Sequence, residues 1–354
     1  MDQRYIRQVQ LSEVGESGQQ KLAEASVLVV GAGGLGCPIL SYLAAAGAGR
    51  LGIVDPDTID RSNLHRQLLY SEEDSGKNKA EIAKEKLVKI NPTITVESFP
   101  VALTAQNYMA LMQQYDIIVD GTDDIPTRYV LSDACLLLQK PLVFAALFKF
   151  EGQVSVFNYK EGPTYRCLFP DPPKEGDIPN CNEIGVLGVL PGLIGLFQAT
   201  EVLKIILGLP GILSGKVLYY NVLTHQQRVF TIRRNETSIK EIMKLGKPLD
   251  VESQNCEIIP IISLTELKNE TDILWIDIRE PGEQPELSGP GVLHKPLSKL
   301  TESPLDLDPS SRMIFFCQSG LRSQQAVRVA QEQGMKHCLS LKEGAAVLKN
   351  WLTK

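Results

Sequence analysis

The segment SVLVVGAGGLG, residues 26–36, decides the fold of the first part of the chain. Its first half is an apolar run typical of a buried strand, and the apolar, alanine-rich segment CPILSYLAAAG follows the glycines as a helix. Gly31, Gly33 and Gly36 permit a tight turn, a close approach of backbone to phosphate and close packing of that helix. Because a helix N-terminus attracts anions, the segment predicts a nucleotide site.

Strand and helix patterns alternate after this segment. RLGIVD is a second strand that ends in Asp55, KNKAEIAKEKLVKI is an amphipathic helix, and YDIIVDGTDD and PLVFAALF are further strands. Such alternation predicts a doubly wound parallel sheet of the Rossmann type. EGQVSVFNY and GKVLYYNVLTHQQRVFTI have the pattern of antiparallel strands, so we expect a mixed sheet extended at one edge.

A second α/β domain is predicted after a polar linker. Residues 233–256 contain little core-forming pattern, and beyond them ISLTELKN and RSQQAVRVAQEQG read as helices, ILWIDIRE and MIFFC as strands, and AAVLKNWL as a closing helix. We therefore expect a first domain over residues 1–234, a linker over 235–257 and a small α/β domain over 258–354.

The composition excludes some classes of function. The 354 residues carry a formal net charge of −6, which does not favour binding to nucleic acid or to an acidic membrane. The start of the chain has no signal-like apolar region, and the apolar stretch from Ile184 to Thr200 contains Pro191, which favours a buried or interface helix over a membrane span. Seven cysteines without a secretory signal indicate a reducing compartment, so we predict a cytoplasmic protein.

The glycine turn and Asp55 fit a nicotinamide enzyme and an ATP enzyme equally well. The motif DRSNLHRQ, residues 60–67, separates the two classes, because attack on a triphosphate needs fixed cations around the leaving pyrophosphate. Arg66, Lys79 and Arg7 are the candidate cations, and a solvated basic face is the alternative interpretation.

A carboxylate follows the strand YDIIVDGTDD at the position where α/β sheets bind ligands. Asp123 is the candidate, since a magnesium ion takes oxygen ligands. An aspartate that caps the next helix is the alternative interpretation.

These motifs together resemble the MoeB/ThiF family of enzymes that activate ubiquitin-like proteins. RYIRQ, VLVVGAGGLG, DPDTIDRSNLHRQ, GKNKA, DGTDDIPTRY and EGQVSVF occur in the family's order over roughly residues 3–232. The resemblance implies adenylation of the C-terminal glycine of a small carrier protein that ends in Gly-Gly, with ATP and magnesium as cofactors and pyrophosphate as a product.

The resemblance also implies roles for individual residues. It places ATP contacts at Gly34, Asp55, Asn63, Arg66 and Lys79. It makes Asp123 the acid that binds magnesium and is essential to adenylation. In the resulting homodimer, Arg7 reaches the phosphates of the neighbouring subunit.

Two departures from the family pattern are visible. Most members bind zinc through two CxxC pairs, but the first pair here reads TYRC, with Thr164 in place of one ligand beside Cys167, and the second pair is absent. Threonine cannot supply a thiolate, so we predict that zinc is absent and that packing and hydrogen bonds hold these loops. The motif TDD has Asp124 where the family usually has asparagine, which puts a nucleotide contact of that residue in doubt.

Two cysteines are candidates for covalent chemistry. Cys181, in PNCNEIGVLGVLPG, resembles the family cysteine that bonds to the activated carrier as a thioester or acyl persulfide, and a packed free cysteine is the alternative. Cys317 ends the strand MIFFC, and the loop QSGLRS with Arg322 leads into a helix, an arrangement that favours an anionic thiolate or persulfide. Cys37 and Cys135 are expected in the core.

The region around Cys317 resembles a rhodanese domain over about residues 258–354. DIRE upstream and LKEGAAVLKNW downstream support this, although Glu343 stands where a second glycine is usual. A phosphatase of related fold needs a longer spacing than the four residues between Cys317 and Arg322. A redox-regulated structural cysteine is the remaining alternative.

The two resemblances combine into one predicted function. The first domain forms an acyl-adenylate, and the second transfers sulfur from a Cys317 persulfide to give a C-terminal thiocarboxylate, as in fused molybdopterin-synthase and ubiquitin-related-modifier sulfurases. A cysteine desulfurase or thiosulfate would supply the sulfur. An NAD-dependent oxidoreductase, a ligase-type activator that forms only a thioester and has an inactive rhodanese domain, and a sulfur-sensing scaffold are the alternatives.

Overall fold

A computed structural model divides the chain into two compact units, Met1–Ser253 and Gln254–Lys354. The structure describes residues 3–172, 185–249, 260–267, 273–287, 289, 291–300, 307–309, 311–318 and 322–352. Each unit is built around its own sheet.

The first unit contains a mixed eight-stranded sheet. Its strands are β1 (Ser26–Val30), β2 (Arg50–Val54), β3 (Thr95–Phe99), β4 (Ile117–Asp120), β5 (Leu142–Phe148), β6 (Glu151–Phe157), β7 (Lys216–Asn221) and β8 (Gln227–Thr231). They lie in the order β3-β2-β1-β4-β5-β6-β7-β8. The first five strands are parallel, and β6, β7 and β8 pair antiparallel at one edge. The predicted fold class and the antiparallel edge are therefore confirmed.

Helices cover both faces of this sheet. They are α1 (Ile6–Val9), α2 (Gly15–Glu24), α3 (Gly36–Ala46), α4 (Lys79–Ile90), α5 (Tyr108–Met112), α6 (Ile125–Leu137), α7 (Tyr165–Leu168), α8 (Val189–Leu207) and α9 (Glu236–Leu245). Residues of α3, α4 and α8 form one core cluster with the sheet, and residues of α5, α6 and α7 form another. The two clusters bury β1 completely, which explains its continuous apolar sequence.

Helix α8 is the apolar segment of the sequence. Within the described ranges, it alone is long and apolar enough to cross a membrane by length and composition, and 44% of its apolar 18-residue stretch is buried. Leu190, Ile194 and Val202 pack in the core of the first unit. A helix that is partly buried is thus observed from Val189 onward, in agreement with the predicted buried or interface helix.

The predicted linker is wrong in its first half. Residues Glu236–Leu245 form α9, whose N-terminal cap is the side chain of Asn235. Ile239 and Ile242 are buried against Leu136 of α6. Because the apolar residues are spaced by three along a polar helix, the segment buries a narrow stripe and belongs to the first unit.

The second unit contains a parallel five-stranded sheet in the order β11-β10-β12-β13-β9. Its strands are β9 (Ile261–Ile262), β10 (Leu274–Asp277), β11 (Val292–His294), β12 (Met313–Phe316) and β13 (Cys338–Leu341), and its helices are α10 (Leu297–Leu300), α11 (Arg322–Glu332) and α12 (Ala345–Leu352). The helix expected at ISLTELKN is not observed: β9 and a turn over residues 264–267 occupy the described part of that segment.

In the glycine turn after β1, the backbone of Gly36 lies so close to that of Gly31 that there is no room for a side chain on Gly36. Gly31 adopts a φ of +95°, and a Cβ on Gly36 would lie 2.0 Å from the Gly31 carbonyl oxygen. We expect Gly36→Ala to lower the free energy of unfolding by about 3 kcal/mol, because the backbone must shift in a packed core. Urea unfolding of the two proteins measures the difference.

Gly33→Ala is the matched control for that substitution. A Cβ on Gly33 would lie 3.5 Å from Gln67 Nε2, an ordinary contact. We expect it to change the free energy of unfolding by less than about 1 kcal/mol. Equal losses in the two variants would contradict the steric account of the turn.

Candidate functional site

The carboxyl ends of the parallel strands form a cavity of about 660 Å³ in the first unit. It lies where the strand order reverses between β1 and β4, which is where open α/β sheets bind ligands. All eight residues predicted as nucleotide contacts line it: Gly31, Gly33, Gly34, Asp55, Asn63, Arg66, Lys79 and Asp123.

The Asp55 carboxylate is fixed at the wall of this cavity. Its two oxygens accept hydrogen bonds from the amide nitrogens of Ala32, at 2.7 Å, and Asp57, at 2.9 Å. Burial raises the pKa of Asp55 above its usual value. The bond to Ala32 ties the end of β2 to the glycine turn, so the carboxylate holds the turn and faces the cavity at once.

The predicted cations also lie at the cavity. Lys79 begins α4, is buried, and places its Nζ 2.8 Å from an Asp57 carboxylate oxygen. Arg66 is half-buried, and its guanidinium donates to the Ser62 carbonyl at 3.1 Å. A solvated basic face, the alternative interpretation, does not describe Lys79.

The two acids of the TDD motif have different environments. Asp124 caps α6: its carboxylate accepts hydrogen bonds from the Thr127 amide at 2.9 Å and from the Thr127 hydroxyl at 2.5 Å. Asp123 is exposed at the cavity, and within the described part of the chain its carboxylate accepts no hydrogen bond. The capping role considered for Asp123 therefore belongs to Asp124.

Gln67, the last residue of the DRSNLHRQ motif, was not predicted from the sequence as a site residue. Gln67 is 3% exposed and lines the cavity, and its buried Oε1 has no hydrogen-bond partner in the described structure. An unsatisfied buried amide oxygen is costly, which indicates a partner supplied by a ligand or by water. A glutamine at the end of a mostly polar motif is a weak sequence signal, and only its burial in the folded chain distinguishes it.

A buried ion pair beside Asp123 was also not predicted from the sequence. Asp120, at the end of β4, is completely buried, and one of its oxygens lies 3.5 Å from Arg128 Nε. Burial raises the pKa of Asp120 to about 7, and the Arg128 charge opposes that shift. The sequence showed three aspartates within five residues but gave no means of telling which one is buried.

Other predicted residues lie away from the cavity or outside the described ranges. Arg7 is exposed in α1 and does not line the cavity of its own chain. Cys181 falls among residues 173–184, outside the described residues. Cys37 and Cys135 are buried in the cores, as predicted.

Hydrogen bonds hold the loop with the incomplete CxxC pair. Cys167 Sγ accepts hydrogen bonds from the amide nitrogens of Thr164, at 3.3 Å, and Asn235, at 3.2 Å. Asn235 caps α9, so the sulfur joins the TYRC turn to that helix. Among the described residues, no group of three or more His, Cys, Asp or Glu side chains could hold a metal ion.

In the second unit, Cys317 follows β12 and is completely buried. Its Sγ lies 3.7 Å from the Ser323 hydroxyl in the first turn of α11, and the Ser323 hydroxyl lies 2.9 Å from that of Ser340. The sulfur therefore lies beside the first turn of α11. The converging amides expected from residues 319–321 lie outside the described residues.

Arg322 does not present an uncompensated charge to Cys317. Its guanidinium makes two hydrogen bonds to the Glu283 carboxylate, at 2.7 and 2.6 Å. Arg322 holds the pKa of Glu283 at about 2. The sequence indicated the arginine, but its acidic partner lies 39 residues away in the chain and could not be assigned from spacing.

A Rossmann-type cavity lined by cations and acids, followed by a parallel α/β unit with a buried cysteine at a helix N-terminus, defines a class of two-domain nucleotide-dependent enzymes. The ThiF family model matches residues 5–240, and the Rhodanese-like domain model matches residues 263–350. The chain therefore belongs to the ThiF family and carries a C-terminal rhodanese domain.

Curated relatives support this assignment. The sulfur carrier protein adenylyltransferase of Thermus thermophilus is 50% identical over 66% of this chain and 88% of its own length. The probable molybdopterin-synthase adenylyltransferase of Porphyra purpurea is 40% identical over 94% of this chain and 89% of its own length. The adenylyltransferase and sulfurtransferase MOCS3 of Culex quinquefasciatus is 52% identical over 62% of this chain, but the match spans only 50% of that longer protein.

A solved structure agrees with the fold of the first unit. The crystal structure of E. coli MccB with ATP superposes with a TM-score of 0.57 at 23% identity, over 66% of this chain and 72% of that chain. At this identity the likeness shows the fold alone.

Proposed function

We propose that this protein adenylates the C-terminal glycine of a ubiquitin-like sulfur carrier protein and then transfers sulfur to it. The enzyme is an adenylyltransferase and a sulfurtransferase. The observation that carries the proposal is the grouping of Arg66, Lys79 and Asp123 around one nucleotide-sized cavity. A rhodanese unit in the same chain gives the acyl-adenylate a sulfur-based acceptor.

The first step needs positioning and charge neutralisation rather than a protein nucleophile. A carboxylate oxygen of the carrier attacks the α-phosphorus of ATP, and pyrophosphate leaves. We propose that Arg66 and Lys79 stabilise the negative charge that develops on the leaving pyrophosphate. Lys79 exchanges its bond to Asp57 for one to phosphate, and the glycine turn gives the phosphates backbone amides at the start of α3.

Asp123 fits the proposed role of magnesium ligand. Its carboxylate is exposed at the cavity and accepts no hydrogen bond from the described residues, so its oxygens are available to a cation. Magnesium commonly takes one or two carboxylates and completes its shell with water and phosphate oxygens. When bound, it would neutralise charge on the phosphates.

Sulfur transfer uses Cys317 in the proposed second step. The outer sulfur of a Cys317 persulfide attacks the acyl-adenylate carbonyl, and AMP leaves. A thiol then cleaves the resulting acyl disulfide and releases the thiocarboxylate. We assign this thiol to Cys181, which then forms a disulfide with Cys317 that a cellular thiol must reduce.

The remaining partners are also part of the proposal. A homodimer places Arg7 at the phosphates of the other subunit. A cysteine desulfurase or thiosulfate supplies sulfur to Cys317, and the enzyme works in the cytoplasm without zinc. An NAD-dependent oxidoreductase is not favoured, because the relatives are named as adenylyltransferases.

Pyrophosphate exchange tests the adenylation step. With ATP, magnesium and a purified carrier that ends in Gly-Gly, we expect carrier-dependent exchange of label between pyrophosphate and ATP. Arg66→Ala and Lys79→Ala should each lower the rate by about 10²–10³-fold, the usual loss when one stabilising group is removed.

Arg61→Ala and Lys77→Ala are the matched controls, because these basic residues lie within five positions of Arg66 and Lys79 in the sequence but do not line the cavity. Arg61 pairs with Glu72 and is 82% exposed. Exchange in both controls should stay near that of the unmodified protein. Equal losses in all four variants would refute the assignment of the cavity cations.

A further inference from the structure

The turn that carries Asp123 is held at the preceding residue. The Thr122 amide donates to the Asp120 carboxylate at 3.0 Å, and the Thr122 carbonyl accepts from the Arg128 guanidinium at 2.9 Å. Both backbone polar groups of Thr122 are thus bonded to the two members of one buried ion pair. The next residue, Asp123, projects to the cavity with its own side chain unbonded within the described structure.

We propose that Asp120 and Arg128 are positioning residues that clamp Thr122 and so aim the Asp123 carboxylate at the phosphates. The inference rests on the proposed adenylation, in which Asp123 is the acid at the nucleotide. Neither member of the pair needs to touch the nucleotide for this role.

The base of the clamp is rigid. The Asp120 carbonyl accepts a hydrogen bond from Gln198 Nε2 of α8 at 2.7 Å, and the Gly121 amide donates to Val30 of β1 at 2.7 Å. The Arg128 guanidinium lies 5.5 Å from the centre of the Phe144 ring. Fixed supports on α8, β1 and β5 leave Thr122 little freedom, as precise placement of a reacting group requires.

Helix α6 also contributes Asp133 to a second buried ion pair, which has the close bidentate geometry of a stabilising interaction. Asp133 accepts from Arg166 through two oxygens, at 2.7 and 3.0 Å. In the Asp120–Arg128 pair the facing atoms are 3.5 Å apart, and Asp120 Oδ2 and Arg128 Nε are both buried without a hydrogen-bond partner in the described structure. Such a pair recovers little of its desolvation cost, which argues for a role other than stability.

The positive charge of Arg128 also offsets the negative charges of the turn that carries Asp123. Asp120, Asp123 and Asp124 bring three carboxylates into one turn, and both exposed acids oppose ionisation of Asp120. The Arg128 charge, on the adjoining helix, offsets this repulsion. Without it the carboxylates would repel one another, and Asp123 would lose its fixed direction.

Asp120→Asn and Arg128→Gln test the clamp in pyrophosphate exchange. Each change removes one charge; Asp120→Asn keeps the shape of the side chain, whereas Arg128→Gln shortens it and removes the guanidinium. We expect kcat to fall by about 10–100-fold, the usual loss when a residue that orients a ligand-binding group is changed. KM for ATP should change by less than about threefold, because the ribose and cation contacts remain. Arg128→Lys should recover only part of kcat, since a single ammonium cannot both donate to the Thr122 carbonyl and lie beside the Asp120 carboxylate as the guanidinium does.

Double variants distinguish a clamp from general damage. If the pair acts as one unit, the double variant Asp120→Asn with Arg128→Gln should have a kcat within about threefold of that of the slower single variant. Asp120→Asn combined with Lys79→Ala should instead multiply the two losses, because Lys79 shares no partner with the pair. Multiplied losses within the pair would overturn the inference, and so would an unchanged kcat in either single variant.

Asp133→Asn is the matched control. It breaks the bidentate pair of α6, so it should lower the melting temperature while leaving kcat unchanged at temperatures where the variant is folded.

Amide hydrogen exchange measures how firmly the turn around Thr122 is held, and it does not depend on catalytic turnover. In Asp120→Ala and Arg128→Gln, the peptide that spans residues 121–124 should exchange faster while β1 and β5 keep their protection. Unchanged exchange in that peptide would overturn the clamp. If the unmodified protein catalyses no pyrophosphate exchange but this peptide responds as expected, the adenylation proposal fails and the positioning contact stands.

Discussion

Cys317→Ala is expected to abolish formation of the carrier thiocarboxylate while pyrophosphate exchange continues at the unmodified rate. The sulfur follows β12, and among the described residues it is the thiol that lies beside the first turn of α11. Because the adenylating cavity lies in a different compact unit, its chemistry does not need this thiol. Mass spectrometry of the carrier after incubation with ATP and thiosulfate measures the product.

Cys338→Ala is the matched control for Cys317→Ala. Cys338 is also buried in the second unit, at the start of β13, and is 1% exposed. Both changes remove one sulfur from the same core cluster, so both should cost a similar amount of stability. Only Cys317→Ala should lose sulfur transfer. A Cys317→Ala protein that still yields thiocarboxylate would show that another thiol is the donor.

The fold followed from the sequence because its determining signals are local. The glycine turn needs glycine where a Cβ would meet backbone, as at Gly36, and the sequence shows those glycines directly. Strands such as β1 are buried on both faces, so their residues are continuously apolar. The antiparallel edge differs because β8 is exposed along its whole length, and its sequence mixes polar and apolar residues.

Two elements were predicted wrongly, the linker at α9 and the helix at β9, because their local sequence patterns are weak and their contacts are distant in the chain. Helix α9 carries only two fully buried residues, Ile239 and Ile242, so its ten residues looked like a polar linker. Strand β9 has two residues, which is too short for any periodicity. These elements depend on contacts with α6 and β13, which no local pattern contains.

The candidate site was predictable in its residues but not in its pairings. Every predicted nucleotide contact lines the cavity, because strand ends and the turns that follow them converge at one edge of a parallel sheet. The partners of those residues were not predictable. Lys79 pairs with Asp57, and Arg322 pairs with Glu283. The members of each pair are more than twenty positions apart in the sequence, and only the folded chain brings them together.

Asp123→Asn is expected to lower pyrophosphate exchange by about 10³-fold. Asparagine keeps the size and one oxygen of the side chain but removes the negative charge that attracts magnesium. A bound metal contributes several kcal/mol of charge stabilisation in phosphoryl chemistry, and about 4 kcal/mol corresponds to a factor of 10³ in rate. The exchange rate as a function of magnesium concentration, measured for both proteins, should show a weakened metal dependence in the variant.

Asp124→Asn provides the control at the adjacent acid. Asp124 accepts the Thr127 amide as the N-terminal cap of α6, and asparagine caps helices about as well as aspartate. The variant should therefore keep its melting temperature and exchange at a rate within about threefold of the unmodified protein, although it loses the same formal charge from the same turn. If the two variants lose activity equally, the total charge of the turn matters and the direction of Asp123 does not. Both acids line the cavity. If Asp123→Asn alone is slow, the effect belongs to the Asp123 carboxylate, since charge, size and distance along the chain are matched in the two proteins.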